Sequence, residues 1–150
     1  MATLWFDMAT AIALETLPGI DVDEAPLVRA WLREHEADYD VVAFNVKLGE
    51  GRPSFGADSP AALAAWRGMT QLRADVVARS RSLTCVVEAK VIARVDAVTQ
   101  LARYVTLVER EPWCKTGVHG ELICDVTDNA VRSALAARGF TLEYFKGAES

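Results

Sequence analysis

The pattern of apolar and polar positions along the 150-residue chain predicts helices and strands in alternation. Apolar residues recur with helical spacing, or sit in helix-forming composition, near residues 4–17, 23–38, 60–68, 96–109 and 129–138. Runs rich in β-branched and aromatic residues predict strands at residues 39–48, 72–78, 83–92, 120–125 and 140–145. The predicted order is therefore α-α-β-α-β-β-α-β-α-β.

Turn signals between these segments indicate how the strands pair. Four polar residues, 79–82, separate two apolar strands and predict an antiparallel hairpin, whereas residues 51–58 have the composition of a loop. The later strand-helix-strand steps are typical of parallel crossovers. We predict an α/β fold with a mixed β-sheet flanked by helices on both faces. Residues 1–40 are expected to form a helical extension that is packed on or attached to a core of residues 41–150, within one compact domain.

The composition is that of a globular protein, with 51% hydrophobic and 25% charged residues. No apolar run is long enough to cross a bilayer, so no membrane partner is expected. The apolar start contains Asp7 and Glu15 and has no basic region, which argues against a signal peptide. Three widely spaced cysteines without a CxxC motif argue against structural zinc and disulfides. We expect a cytoplasmic protein, or a virion protein if the gene is carried by a phage.

The net charge of −5 is distributed unevenly along the chain. Residues 1–40 hold nine acids and two bases, a local balance of −7, whereas residues 67–103 have a balance of +4. A phosphate backbone responds to the local field, so the central segment is a candidate DNA-binding surface. An ordinary solvated hairpin and helix face would show the same charges.

Candidate chemistry lies on the predicted hairpin. Glu88 and Lys90 share one face of an apolar strand, because side chains alternate along it. If the turn centres on residues 79–82, Asp75 on the partner strand lies near the level of Glu88. Two carboxylates and an amine would then meet on a covered sheet, where charges are costly unless paired or bound to metal. A simple ion pair without catalysis would satisfy the same spacing.

Three short motifs follow one another on this hairpin and the next helix: RADVVA at 73–78, VVEAK at 86–90 and QLARY at 100–104. Together they resemble the PD-(D/E)XK nuclease superfamily, and the last is similar to the Gln-x-x-x-Tyr motif of its RecB-like branch. The resemblance covers roughly residues 40–145 in element order. It differs from the family pattern in that no proline precedes Asp75.

The resemblance implies a restriction-endonuclease-like core and a divalent metal, Mg²⁺ or Mn²⁺, held by Asp75 and Glu88. Lys90 would be the catalytic lysine, and Gln100 would orient the site from the following helix. The residues that would contact substrate DNA are Arg73, Arg94, Arg103 and Tyr104. The family's additional helix acid corresponds to either Glu34 or Glu36, and a solvated face is the alternative for both.

The main functional hypothesis is therefore a metal-dependent DNA endonuclease or exonuclease. A phage head-completion or neck protein that uses this fold for assembly, with or without cleavage, is the alternative. A stand-alone restriction or repair nuclease is a third possibility. Because residues 1–40 are acidic and apolar, we expect them to face away from Lys90. They would contact another protein, either a second copy of the chain or an assembly.

Overall fold

The computed structural model describes residues 2–49, 59–70 and 72–145, with residues 66–70 described by their backbone alone. The strands are β1 (Phe6–Asp7), β2 (Val41–Leu48), β3 (Leu72–Arg79), β4 (Leu83–Ile92), β5 (Gly117–Val126) and β6 (Thr141–Tyr144). The helices are α1 (Met8–Ala13), α2 (Ala25–Glu34), α3 (Pro60–Thr70), α4 (Val95–Glu109) and α5 (Asn129–Ala137). Within the described part of the chain, every helix is too short or too polar to cross a membrane.

The strands form one six-stranded mixed sheet in the order β1-β2-β3-β4-β5-β6. The first four strands pair antiparallel with their neighbours, and β4, β5 and β6 pair parallel through the crossover helices α4 and α5. The predicted mixed sheet with helices on both faces is therefore confirmed. The switch from antiparallel to parallel pairing occurs at β4, the strand that contains Glu88 and Lys90.

Alternating side chains of the central strands build a separate apolar core on each face of the sheet. Val77 and Val86 point toward α4 and α5 and pack with Leu101 and Val131. Val76, Cys85 and Val87 point the other way and pack beneath α1 and α2, where Trp31 is fully buried. The sheet is thus covered on both sides, and a charged side chain on β4 has little access to water.

The structure corrects several predicted boundaries. The first predicted helix, residues 4–17, begins with the short strand β1, which pairs with β2, and Asp7 then caps α1 by accepting from the Thr10 N–H at 2.8 Å. α3 begins after Ser59, whose hydroxyl accepts from Ala62, but it continues past Gly68 to Thr70. The loop predicted at residues 51–58 lies outside the described residues.

The prediction that residues 1–40 face away from Lys90 is wrong. Met8, Leu17 and Trp31 are buried in the core beneath the sheet rather than presented to solvent. Glu24 lies close enough to Lys90 for its ionisation to respond to the lysine charge. The apolar stripe of this segment packs on the chain's own sheet, and binding of the segment to another protein stays a prediction.

We expect Leu17→Ala to lower the free energy of unfolding by about 2–5 kcal/mol, because a buried leucine leaves a cavity when it is truncated. Leu17 is 6% exposed, whereas Leu4 is 67% exposed and provides the matched control. Leu4→Ala should change stability by less than about 0.5 kcal/mol in the same urea titration. Equal, small effects of both substitutions would mean that the segment does not belong to the core.

Candidate metal and catalytic site

The β3–β4 hairpin places Asp75 beside Glu88. The last Cα pair of this ladder joins Val76 with Val87, and Asp75 and Glu88 are the next residues along each strand. Beyond that pair, the Ala89 N–H donates to the side-chain Oδ2 of Asp75 at 2.9 Å rather than to a backbone carbonyl of β3. The two strands thus separate at Asp75, while β4 remains paired with β5.

Glu88 is an acid in an apolar setting. Its side chain is 3% exposed, and it lies within hydrogen-bonding range of the Asp75 carboxyl group. Burial, followed by the hydrogen bond and negative charge of Asp75, raises the pKa of Glu88 to about 10, although the Lys90 charge opposes the shift. Ionisation of both Asp75 and Glu88 is therefore unfavourable unless a cation lies nearby.

A third acid, Glu24, shares this site and was not found by sequence analysis. It is the N-cap residue of α2 and is half-buried. Burial first, and then the charge of Asp75, raises its pKa to about 7, with Lys90 opposing. Glu24 also contributes to the raised pKa of Glu88. Three carboxyl groups from α2, β3 and β4 therefore lie near one another, and the charge of Lys90 acts on both glutamates.

Two residues with left-handed backbone bring the α1–α2 connection to this level of the sheet. Gly19 has φ +69°, and a Cβ at this position would overlap the Asn45 side chain. Asn45 has φ +50° within β2, and the β2–β3 register places it opposite Asp75. Because glycine alone permits this approach without a clash, the Pro18-Gly19 turn positions the loop that ends at Glu24.

The donor set fits a hard divalent cation. Two buried side-chain oxygens in the described part of the chain lack a hydrogen-bond partner, Glu24 Oε2 and Glu88 Oε2, and both belong to this cluster. An unpartnered buried carboxylate oxygen is energetically unfavourable, and a coordinated ion would satisfy it. Asp75 adds a third carboxylate, and oxygen ligands of this kind suit Mg²⁺ or Mn²⁺.

Helix α4 covers one side of the cluster. Tyr104 is 6% exposed, and its pKa is raised to about 12 by burial and then by the charges of Glu88 and Asp75. Its phenol thus stays protonated beside the acids and can donate a hydrogen bond. Gln100 lies one turn earlier on the same stripe of the helix and is exposed, which leaves its amide accessible from solvent.

The predicted DNA-contacting arginines lie around this region. Arg73 is exposed on β3 two residues before Asp75, Arg94 is exposed at the start of α4, and Arg103 is exposed beside Tyr104. Tyr104, by contrast, is buried near Glu88 and Asp75, so its position favours a role inside the site over a direct contact with DNA. All three guanidinium groups are accessible to a phosphate backbone.

Glu34 and Glu36, the two acids considered from the sequence as the helix ligand, are both exposed near the C-terminal end of α2. Glu24 lies at the opposite end of that helix, next to the hairpin acids. The solvated-face interpretation of Glu34 and Glu36 agrees with their exposure, and the acid that joins the cluster is Glu24.

No protein-family model matches the sequence, and no curated protein matches it. Solved structures of similar fold include a repair endonuclease from Pyrococcus abyssi, at 17% identity and a TM-score of 0.49. That alignment covers 89% of this chain and 50% of the other. EndoMS in its apo form aligns at 19% identity and a TM-score of 0.46, over 85% of this chain and 48% of that chain.

A complex of EndoMS with dsDNA aligns at 20% identity and a TM-score of 0.42, over 69% of this chain and 40% of that chain. The chain thus spans half or less of the length of these structures. Identities below 25% and TM-scores below 0.5 do not identify an activity. The function is therefore inferred from the side chains of the site.

We expect Glu88→Gln to raise the free energy of unfolding by about 1–3 kcal/mol in EDTA, because it removes a buried carboxylate from a cluster of acids. Mn²⁺ should raise the melting temperature of the wild-type protein and leave that of the variant almost unchanged. The measurement is a thermal unfolding series with and without the ion.

The matched control is Glu109→Gln, which removes an exposed acid at the far end of α4. It should keep the wild-type response to Mn²⁺. If Mn²⁺ stabilises the Glu88→Gln protein as much as the wild type, Glu88 does not hold the ion.

Proposed function

We propose that this protein is a metal-dependent phosphodiesterase that cleaves DNA, as an endonuclease or exonuclease of the PD-(D/E)XK type. The observation that carries the proposal is the proximity of Glu24, Asp75 and Glu88. The charge of Asp75 raises the pKa of both glutamates, and Oε2 of each glutamate is buried without a hydrogen-bond partner. A purely structural ion pair would need only one carboxylate for Lys90. Three acids and one amine leave an excess of negative charge that suits a divalent cation.

Asp75 and Glu88 would hold the metal from the hairpin, and Glu24 would complete the ligand set from α2. The hydrogen bond from the Ala89 N–H fixes one oxygen of Asp75, so that the carboxylate is oriented before any ion binds. When bound, Mg²⁺ or Mn²⁺ supplies charge that polarises a phosphate and lowers the pKa of water.

Lys90 is the residue best placed to act on the attacking water. It is half-buried on the same strand face as Glu88, and its charge acts on both Glu24 and Glu88. Its deprotonated amine can accept the proton of the water, and the ammonium that forms can offset the charge that develops on the phosphate oxygens. Tyr104, which is protonated and lies near the acids, can donate a hydrogen bond to the phosphate. Gln100 lies one turn earlier on α4 and can orient the substrate.

DNA is the proposed substrate because exposed arginines lie on the strand and the helix that carry the site. Arg73 lies on β3, Arg94 precedes α4 and Arg103 lies on α4, and they would contact the phosphate backbone. Positive charge around an acidic metal site guides a polyanion toward it, whereas the acidic cluster alone would repel one.

We expect Lys90→Ala to reduce Mn²⁺-dependent DNA cleavage by at least about 100-fold, the usual contribution of a positioned proton-transfer group. Cleavage is measured on linear and circular DNA over a range of salt concentrations. The matched control is Lys115→Ala, an exposed lysine in the connection before β5, which should keep wild-type activity.

Circular dichroism of both variants checks that they fold. If wild-type protein cuts neither DNA form with Mg²⁺ or Mn²⁺ at any salt concentration, the nuclease proposal fails. The assembly role, in which the fold serves without cleavage, would then be the better explanation.

Glu24 provides a second test, because sequence motifs alone do not identify it. We expect Glu24→Gln to reduce cleavage at least tenfold and to weaken the stabilisation by Mn²⁺, since it removes one carboxylate ligand. Glu36→Gln removes an exposed acid beyond the other end of α2 and should leave both measurements unchanged. Wild-type cleavage by the Glu24→Gln protein would exclude Glu24 from the site.

A further inference from the structure

A second cluster of metal-ligating side chains lies on the other face of the sheet. It consists of His35, which ends α2, Glu121 on β5 and Glu143 on β6. The parallel register pairs Glu121 with Val87, and its side chain shares a face with Ile123 of the core beneath α2. Glu88 points to the opposite face, so the two acidic clusters are separated by the sheet itself.

The three side chains of this His35–Glu121–Glu143 cluster already converge. One ligand atom from each lies within 4.8 Å of the others. His35 Nε2 is 2.9 Å from Glu143 Oε1 and 3.8 Å from Glu121 Oε1. Two ligands at about 2.0–2.2 Å from a tetrahedral ion lie roughly 3.4 Å apart. The two distances from His35 lie on either side of that value, so modest side-chain shifts would bring the three ligands into coordination.

Neighbouring groups hold these ligands in orientation. His35 Nδ1 lies 2.8 Å from Asp38 Oδ2, and because a carboxylate can only accept, Nδ1 carries a proton. By the same argument Nε2 donates to Glu143 at 2.9 Å when no ion is bound, and a metal ion would replace that proton. The Trp31 indole N–H donates to Glu121 Oε1 at 2.8 Å, and the Thr141 hydroxyl donates to Glu121 Oε2 at 3.2 Å. Supporting contacts to a histidine and a carboxylate are the usual second layer of a metal site.

Electrostatics favour a cation at this point. Burial, followed by the hydrogen bond and charge of Glu143, raises the pKa of Glu121 to about 7. Burial lowers the pKa of His35, but its hydrogen bonds to Glu143 and Asp38 outweigh that effect and raise it. His35 is therefore the single basic group beside the carboxylates of Asp38, Glu121 and Glu143 within this cluster. A divalent ion would offset the remaining negative charge.

An ion can reach the cluster from solvent. A surface cleft of about 550 Å³ runs past all three residues, and its other walls include Tyr39, Ser82 and His119. Glu121 is 6% exposed at its side chain, whereas Glu143 is 30% exposed, so the cluster has a buried end and an open end. The open end leaves room for water or an exogenous ligand in the remaining coordination positions.

We infer that His35, Glu121 and Glu143 form a second divalent-metal site, of the borderline class to which Zn²⁺ belongs, that ties α2 to strands β5 and β6. One imidazole and two carboxylates suit Zn²⁺ better than Mg²⁺, which prefers oxygen ligands and retains its waters. The inference rests on the cluster alone and does not depend on the proposed nuclease activity. Its role is to stabilise the edge of the sheet that His35 faces.

The test uses Zn²⁺ binding to chelator-treated full-length protein in a Glu88→Gln background, which weakens the first site. We expect isothermal titration calorimetry to give one Zn²⁺ per chain. Adding His35→Gln should reduce the affinity at least about 100-fold, since it removes a ligand rather than a supporting contact. Glu143→Gln, on the half-exposed strand β6, should have the same effect and replaces His35→Gln if that variant fails to fold.

His119→Gln is the matched control, because His119 lines the same cleft but bonds to Thr141 rather than to the cluster. It should retain Zn²⁺ affinity within a few-fold. Co²⁺ absorption checks the ligand type: nitrogen and oxygen ligands give no thiolate charge-transfer band, whereas binding at Cys114 would give one.

Failure to bind Zn²⁺ in the Glu88→Gln protein would overturn the second site, and so would equal affinity with and without His35. Either result would identify the cluster as a buried ion pair. Cleavage assays are separate, so loss of nuclease activity alone would not bear on this site.

Discussion

The hydrogen bond from the Ala89 N–H to the Asp75 carboxylate is the interaction on which the candidate nuclease site depends. The β3–β4 ladder ends here, and the Asp75 carboxylate takes the place of a backbone acceptor. Glu88 is the residue before Ala89 on β4, where both faces of the sheet are covered. Register is strongly specified in such a strand, because a shift of one residue would exchange its apolar and charged faces.

That arrangement places ionisable groups where folding alone does not favour them. A buried, unpaired carboxylate destabilises a domain, and two of the oxygens here lack a partner within the described part of the chain. Binding of a cation offsets that destabilisation, so stability and metal binding are linked. The His35 cluster is also acidic and partly buried, on the opposite face of the sheet. Its imidazole and supporting hydrogen bonds give its carboxylates partners of the kind that Oε2 of Glu24 and Oε2 of Glu88 lack.

Much of this architecture could be predicted from the sequence, because period-two alternation and the polar turn at residues 79–82 fix the hairpin register. Asp75, Glu88 and Lys90 follow from that local pattern. Glu24 does not, since its place depends on the left-handed backbone of Gly19 and Asn45 and on long-range packing. The orientation of residues 1–40 could not be predicted for a similar reason: an apolar helical stripe has the same pattern whether it covers its own sheet or another protein.

The most direct measurement is anomalous diffraction from crystals of the full chain soaked in Mn²⁺. The proposed nuclease site predicts a peak about 2.1 Å from carboxylate oxygens of Asp75 and Glu88, with Glu24 in reach of the same ion and Lys90 beside it. A crystal that retains this arrangement of side chains yet shows no peak between Asp75 and Glu88 would contradict it.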